Sequence, residues 1–103
     1  MIGFINGCFD VLHIGHTRMF KECKSKVNTL IVAIDSDERV RQLKGNNRPF
    51  NSLKDRKEML MNLKWIDAVV SFDSDQELTT LLKCINPDIM MVDVPDDVVA
   101  FTI

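Results

Sequence analysis

His13 and His16 are the residues whose types and spacing are best suited to chemistry in this chain. Helix positions i and i+3 share a face, so both imidazoles can reach one ligand, and each offers a ring N–H to an oxyanion. They stand where a short apolar run, Met1 to Ile5, breaks at Asn6-Gly7 and helical spacing begins near Leu12. A strand that ends in glycine and feeds a helix sets unpaired helix N–H groups at the carboxyl edge of a sheet. The helix dipole adds to their pull on an anion. Phosphate is therefore the expected ligand. A zinc centre is the weaker alternative: the chain has only these two histidines, Cys8 is close in sequence, and Cys23 and Cys84 lie far off without CxxC spacing.

The elements that must position this pair follow in order. A first helix is predicted from about His13 to Lys26, with Leu12, Met19, Phe20, Cys23 and Val27 as its apolar stripe. Cys23 thus belongs to the core and is no nucleophile. The apolar run within Thr29 to Asp35 reads as a strand covered on both faces. Asp35-Ser36-Asp37 supplies caps for a short helix from Glu38 to Leu43, and the strand–helix–strand order is that of a βαβ crossover. Gly, Pro and Asn make Lys44 to Asn51 a loop able to close over a ligand, and it carries Lys44 and Arg48.

Ser52-Leu53-Lys54-Asp55 resembles a capping box, and Leu53, Met59, Leu60 and Leu63 are expected to be the buried stripe of the next helix. Arg56 sits one turn inside its start. Met61 and Trp65 read as packing or subunit-contact residues. A third strand is predicted at Ala68 to Phe72, then a helix opened by Ser74 to Glu77 and continuing through Leu78, Leu81, Leu82 and Ile85. Asn86-Pro87-Asp88 stops that helix, Ile89 to Val92 makes a fourth buried strand, and Val98 to Ile103 fits a last one. The alternation predicts an α/β, Rossmann-like, doubly wound parallel sheet, with the ligand cleft outside the strand carboxyl ends.

Composition narrows the function classes. With 103 residues, 46% hydrophobic and 27% charged, the chain reads as one globular domain. A net charge of −2, without Lys/Arg blocks, excludes a broad nucleic-acid surface. No run approaches the roughly 18 apolar residues of a membrane span, and the N-terminus lacks a basic signal-peptide region. Three cysteines without framework spacing predict reduced thiols and a cytoplasmic setting.

Gly7-Cys8-Phe9-Asp10-Val11-Leu12-His13-Ile14-Gly15-His16 resembles the G-x-F-D-x-x-H-x-G-H signature of the cytidylyltransferase-like nucleotidyltransferases. Within them the chain is most similar to the adenylyltransferase domain of ADP-heptose synthases. That likeness rests on Asn6 to Asp10, Ser36-Asp37, Leu43-Lys44-Gly45 with Arg48-Pro49 and Asn51, Arg56, and Asp67 to Phe72. Glycerol-3-phosphate cytidylyltransferases share the first motif and Arg56 but fit Lys44 to Asn51 less well.

The resemblance implies transfer of a nucleotidyl group from a nucleoside triphosphate, ATP in the first instance, to a heptose 1-phosphate type of acceptor, with release of pyrophosphate. It implies catalytic roles for His13, His16 and Lys44, and a nucleotide or substrate site that includes Gly7, Cys8, Phe9, Asp10, Gly15, Asp37 and Arg56. Mg²⁺ is the implied cofactor, with Asp10 as its protein ligand or orienter, and Arg56 would bind a phosphate of acceptor or nucleotide. Asp37 stays open between helix cap and cleft contact, and Asp67 reads as structural near a dimer contact. The partners expected are the triphosphate, a small phosphorylated acceptor and a second copy in a homodimer, with no nucleic acid and no membrane. Family members follow the fourth strand with a Gly-Asp loop, another strand and a Ser/Thr-rich helix start. Here Asp93 to Ile103 carries neither the glycine nor the Ser/Thr-rich helix start, so a C-terminally shortened domain of low turnover is expected. The alternatives are CTP-dependent transfer to glycerol 3-phosphate and a non-catalytic nucleotide-binding module.

Overall fold

A computed structural model describes the backbone at residues 1–94 and 97–102 and the side chains at residues 1–91. Chain order is β1 (Ile2–Gly7), α1 (Ile14–Ser25), β2 (Thr29–Asp35), α2 (Asp37–Lys44), α3 (Leu53–Met61), β3 (Ala68–Phe72), α4 (Asp75–Ile85), β4 (Ile89–Val94) and β5 (Asp97–Thr102). The sheet order is β3-β2-β1-β4-β5. β1 pairs in parallel with β2 and β4, and β2 with β3, while β5 is an antiparallel edge on β4. The expected last strand is thus present as an edge. Pro95, Asp96 and Ile103, part of the segment in which the C-terminal motif was sought, lie outside the described residues.

Alternate residues of each strand feed two cores. Ile5, Leu30, Val32, Ile34, Val69 and Met91 pack with Met19, Phe20 and Cys23 of α1 and Leu60 of α3. Phe4, Ala33 and Phe72 meet Leu78, Leu81, Leu82 and Ile85 of α4. The sheet is therefore covered on both faces, as the unbroken apolar run of β2 requires. β1 and β2 are neighbours, but the chain leaves β3 and returns on the other side of β1. The strand order reverses there, which is where α/β sheets open a ligand crevice. The register sets Gly7 beside Ile34 and Asp35 beside Phe72, so β1, β2 and β3 end at one edge.

Three local expectations need correction. Lys44 closes α2, and the irregular segment begins at Gly45, whose φ of 100° caps the helix in a conformation glycine tolerates. Ser36 is the residue that caps α2, and Asp37 lies in its first turn. The buried stripe of α3 runs through Leu53, Arg56 and Leu60, while Met59 is 40% exposed. Spacing of three and four residues from Leu53 selects Arg56, but a charged residue is passed over when a stripe is read by apolarity.

Candidate active site

The first turn of α1 is held by the two histidines themselves. His13 is the N-cap: its Nδ1 accepts the backbone N–H of Gly15 at 3.0 Å, and His16 Nδ1 accepts the backbone N–H of His13 at 3.2 Å. This is a capping box built from imidazoles, satisfying donors that a helix start leaves unpaired. It also fixes the chemistry. A ring whose Nδ1 accepts carries its proton on Nε2, so each neutral imidazole is a donor at the nitrogen remote from the backbone. The ring centroids lie 4.0 Å apart. A Cβ on Gly15 would come within 2.8 Å of His13 Cε1, so a glycine is what lets the His13 ring lie back on its own helix.

Phe9 ties the turn to the core. Its φ of 48° is a left-handed conformation, which for a bulky residue costs about 1–3 kcal/mol and needs support from its surroundings. The buried ring supplies it, edge-on to His16 at 5.5 Å and to Phe20 at 5.2 Å. Backbone strain and histidine orientation thus share one packing contact.

A cavity of about 200 Å³ opens beside this turn, lined by Asn6, Gly7, Cys8, Phe9, His16 and Lys44. Gly7, Cys8, Phe9, His16 and Lys44 are therefore brought together, with His13 and Gly15 adjoining. Burial pushes the Cys8 thiol above its ordinary value, outweighing the positive charges of Lys44 and Arg56, so Cys8 is a neutral wall of the cavity.

Asp10, Asp37 and Arg56 do not line this cavity. The Arg56 side chain is fully buried: Nε donates to Asn51 O at 3.1 Å, NH1 to Cys8 O at 3.1 Å and Asp35 O at 2.8 Å, and NH2 to Asp37 Oδ1 at 2.7 Å. One guanidinium thus ties the ends of β1 and β2 to the loop and the first turn of α2. Asp37 is its counter-ion. Asp10 accepts Phe50 N–H at 2.7 Å on Oδ2 and Asn51 N–H at 2.8 Å on Oδ1, while Asn51 Nδ2 donates to Asp10 O at 2.5 Å. Burial pushes the Asp10 carboxyl up, but these backbone bonds, with the charges of Arg56 and Arg48, hold it below its ordinary value. Sequence reasoning gave Asn51 no role of its own. Its signal was its place just before the α3 cap Ser52, where the chain must be fixed to start a helix.

Neighbouring charges are structural. Arg39 bonds Asp35 at 2.8 Å and Asp75 at 2.6 Å, and Lys24 bonds Asp67 at 2.5 Å, which also accepts Leu30 N–H. Among the described residues no group of three or more His, Cys, Asp or Glu is placed to hold a metal ion, and no helix is long and apolar enough to cross a membrane.

A cavity at the start of α1, beyond the carboxyl end of β1 on a sheet covered by helices on both faces, is the arrangement of a Rossmann-like α/β domain. The chain belongs to the Cytidylyltransferase-like family, which it matches over residues 4–101. It is 46% identical over 88 residues to the bifunctional protein HldE of Campylobacter fetus, covering 85% of this chain and 19% of that protein. HldE of Hyphomonas neptunium is 40% identical over 90 residues, covering 87% and 18%. The chain thus spans about a fifth of the length of these relatives. The crystal structure of the lipopolysaccharide core biosynthesis protein from Thermoplasma volcanium is similar in fold, with a TM-score of 0.75 at 25% identity, covering 87% of this chain and 71% of that one.

Proposed function

We propose that this domain transfers a nucleotidyl group from ATP to a sugar 1-phosphate of the heptose type and releases pyrophosphate. The observation that carries the reading is the imidazole capping box, which makes Nε2–H the donor of both His13 and His16 beside a cavity that Lys44 also lines. Similarity to HldE supports a heptose-related acceptor.

The attacking phosphate oxygen of the acceptor is already an anion, so no general base is needed. Its bond to the α-phosphorus forms as the bond from that phosphorus to the bridging oxygen breaks, and pyrophosphate leaves with the electron pair. The protein's task is to hold two polyanions together and to stabilise charge on the departing group. His13, His16 and the Lys44 ammonium are the donors for it, with the α1 N-terminus behind them. The Mg²⁺ expected with ATP enters this proposal only as the counter-ion of the triphosphate. The protein is further read as a cytoplasmic homodimer; three cysteines without framework spacing favour a reducing compartment.

Pyrophosphate release, measured with ATP or CTP and with heptose 1-phosphate or glycerol 3-phosphate, tests the reading. The fastest release is expected from ATP with heptose 1-phosphate. Faster release from CTP with glycerol 3-phosphate would move the protein to the other activity. Triphosphate binding with no release from any pair would make it a non-catalytic nucleotide-binding module.

A further inference from the structure

Asp10 is the acidic residue expected to meet the metal, yet its geometry does not fit that role. Each carboxylate oxygen already takes a backbone N–H, from Phe50 at 2.7 Å and from Asn51 at 2.8 Å, and the side chain is 4% exposed. Arg48 NH1 stands 3.6 Å from Oδ2. A metal ion there would displace backbone bonds and meet a guanidinium at close range, both unfavourable.

The same contacts give Asp10 another task. They join residues 40 and 41 positions apart, and the bond from Asn51 Nδ2 to Asp10 O doubles the junction. Arg56 bonds Asn51 O on one side and Cys8 O on the other, so both ends of the junction rest on one buried side chain. The segment held this way continues from Lys44, which closes α2 and lines the cavity. We propose that Asp10 is a positioning residue: it latches the segment following Lys44 onto the turn that carries His13 and His16, and it does not ligate the metal of the triphosphate. The two halves of the phosphate site are thereby set against each other before ligand arrives. The account of Lys44 rests on the nucleotidyl-transfer reading; the latch itself does not.

The test is hydrogen exchange of the unliganded chain together with ATP affinity, measured in EDTA and in Mg²⁺, for Asp10→Asn. The neutral amide cannot accept both N–H bonds as the carboxylate does. Exchange at Phe50 and Asn51 is expected to speed by about tenfold or more while Ile31 to Ile34 stay at parental rates, and ATP affinity should fall by a similar factor with and without Mg²⁺. A residue that merely held the fold would release the β2 amides as well. Unchanged exchange at residues 50 and 51, or an affinity loss seen only with Mg²⁺, would overturn the proposal. If Asp10→Asn does not fold, the parental chain decides: amides bonded to the buried Asp10 carboxylate are expected to exchange at least about tenfold more slowly than in an unstructured peptide. Protection of that size at residues 50 and 51 supports the latch, and exchange there at unstructured-peptide rates overturns it. Exchange needs no nucleotide, so a failed latch is distinguishable from a failed nucleotide reading.

Discussion

His16 Nδ1 accepts the backbone N–H of His13 at 3.2 Å, so the second histidine is aimed by the backbone of the first. The helix cap and the proposed pair of phosphate donors are here the same four-residue object. The cap uses Nδ1 and leaves the proton on Nε2, which separates the structural and chemical roles of each ring by atom.

That separation can be measured at His13. Asparagine is among the best N-caps, whereas alanine at an N-cap costs about 0.5–2 kcal/mol. His13→Asn is expected to hold parental stability in urea, and His13→Ala to lose about 1 kcal/mol. Both should lose about tenfold or more in ATP affinity, since a bond to a charged group contributes about 1.5–3 kcal/mol. Parental ATP affinity in His13→Asn would remove the imidazole from the site.

Gly15→Ala tests ring placement. Alanine is favoured over glycine inside a helix by about 0.5–1 kcal/mol, which offsets the loss of about 0.5–2 kcal/mol that a displaced cap brings, so stability should change little. The added Cβ meets His13 Cε1 at 2.8 Å and must swing the ring away. The expected outcome is an intact fold with weakened ATP binding by calorimetry.

Arg56→Met tests the keystone. It strands the carbonyls of Cys8, Asp35 and Asn51 and leaves Asp37 without its partner. An unsatisfied buried polar group costs about 1–3 kcal/mol, so urea denaturation should show a loss of at least about 3 kcal/mol. A change below about 1 kcal/mol would mean that water replaces the guanidinium.

The fold was legible because local signals agreed: unbroken apolar strand runs and period-3.6 helix patterns, Ser36, Ser52 and Ser74 at helix starts, and Asn86 ending α4 in a left-handed turn. The anion turn was legible because Gly7 and the histidine pair stand in one short motif. Arg56 and Asp10 were legible as chemistry but not as architecture. Their partners are backbone groups up to 48 residues away, and backbone groups leave no mark in a sequence. For the same reason the sequence marks this segment only as a loop able to close over a ligand, and the bonds of its Phe50 and Asn51 amides to Asp10 are found in the structure alone.

Acid should expose two carboxylates. Burial opposes the charge on Asp10, yet its Phe50 and Asn51 bonds hold the pKa below the ordinary 3.8; for Asp67 the Lys24 bond leads, with Leu30 N–H adding to it. A carboxyl lowered by folding contributes stability above the ordinary value, and that contribution is lost as pH falls through the folded value. Stability in urea is therefore expected to fall below about pH 4. Asp67→Asn should flatten part of that slope, and an identical slope in the variant would contradict the assignment.

The most direct measurement of the central claim is the ¹⁵N NMR spectrum of the chain, side-chain imidazole nitrogens included, titrated with ATP and Mg²⁺. The account predicts that the His13 and His16 Nε2 signals and the Gly7 and Gly15 amides shift together, saturating at one affinity, while α4 amides stay in place. Saturable binding that leaves both imidazoles unmoved, or no binding at millimolar ATP, would contradict it.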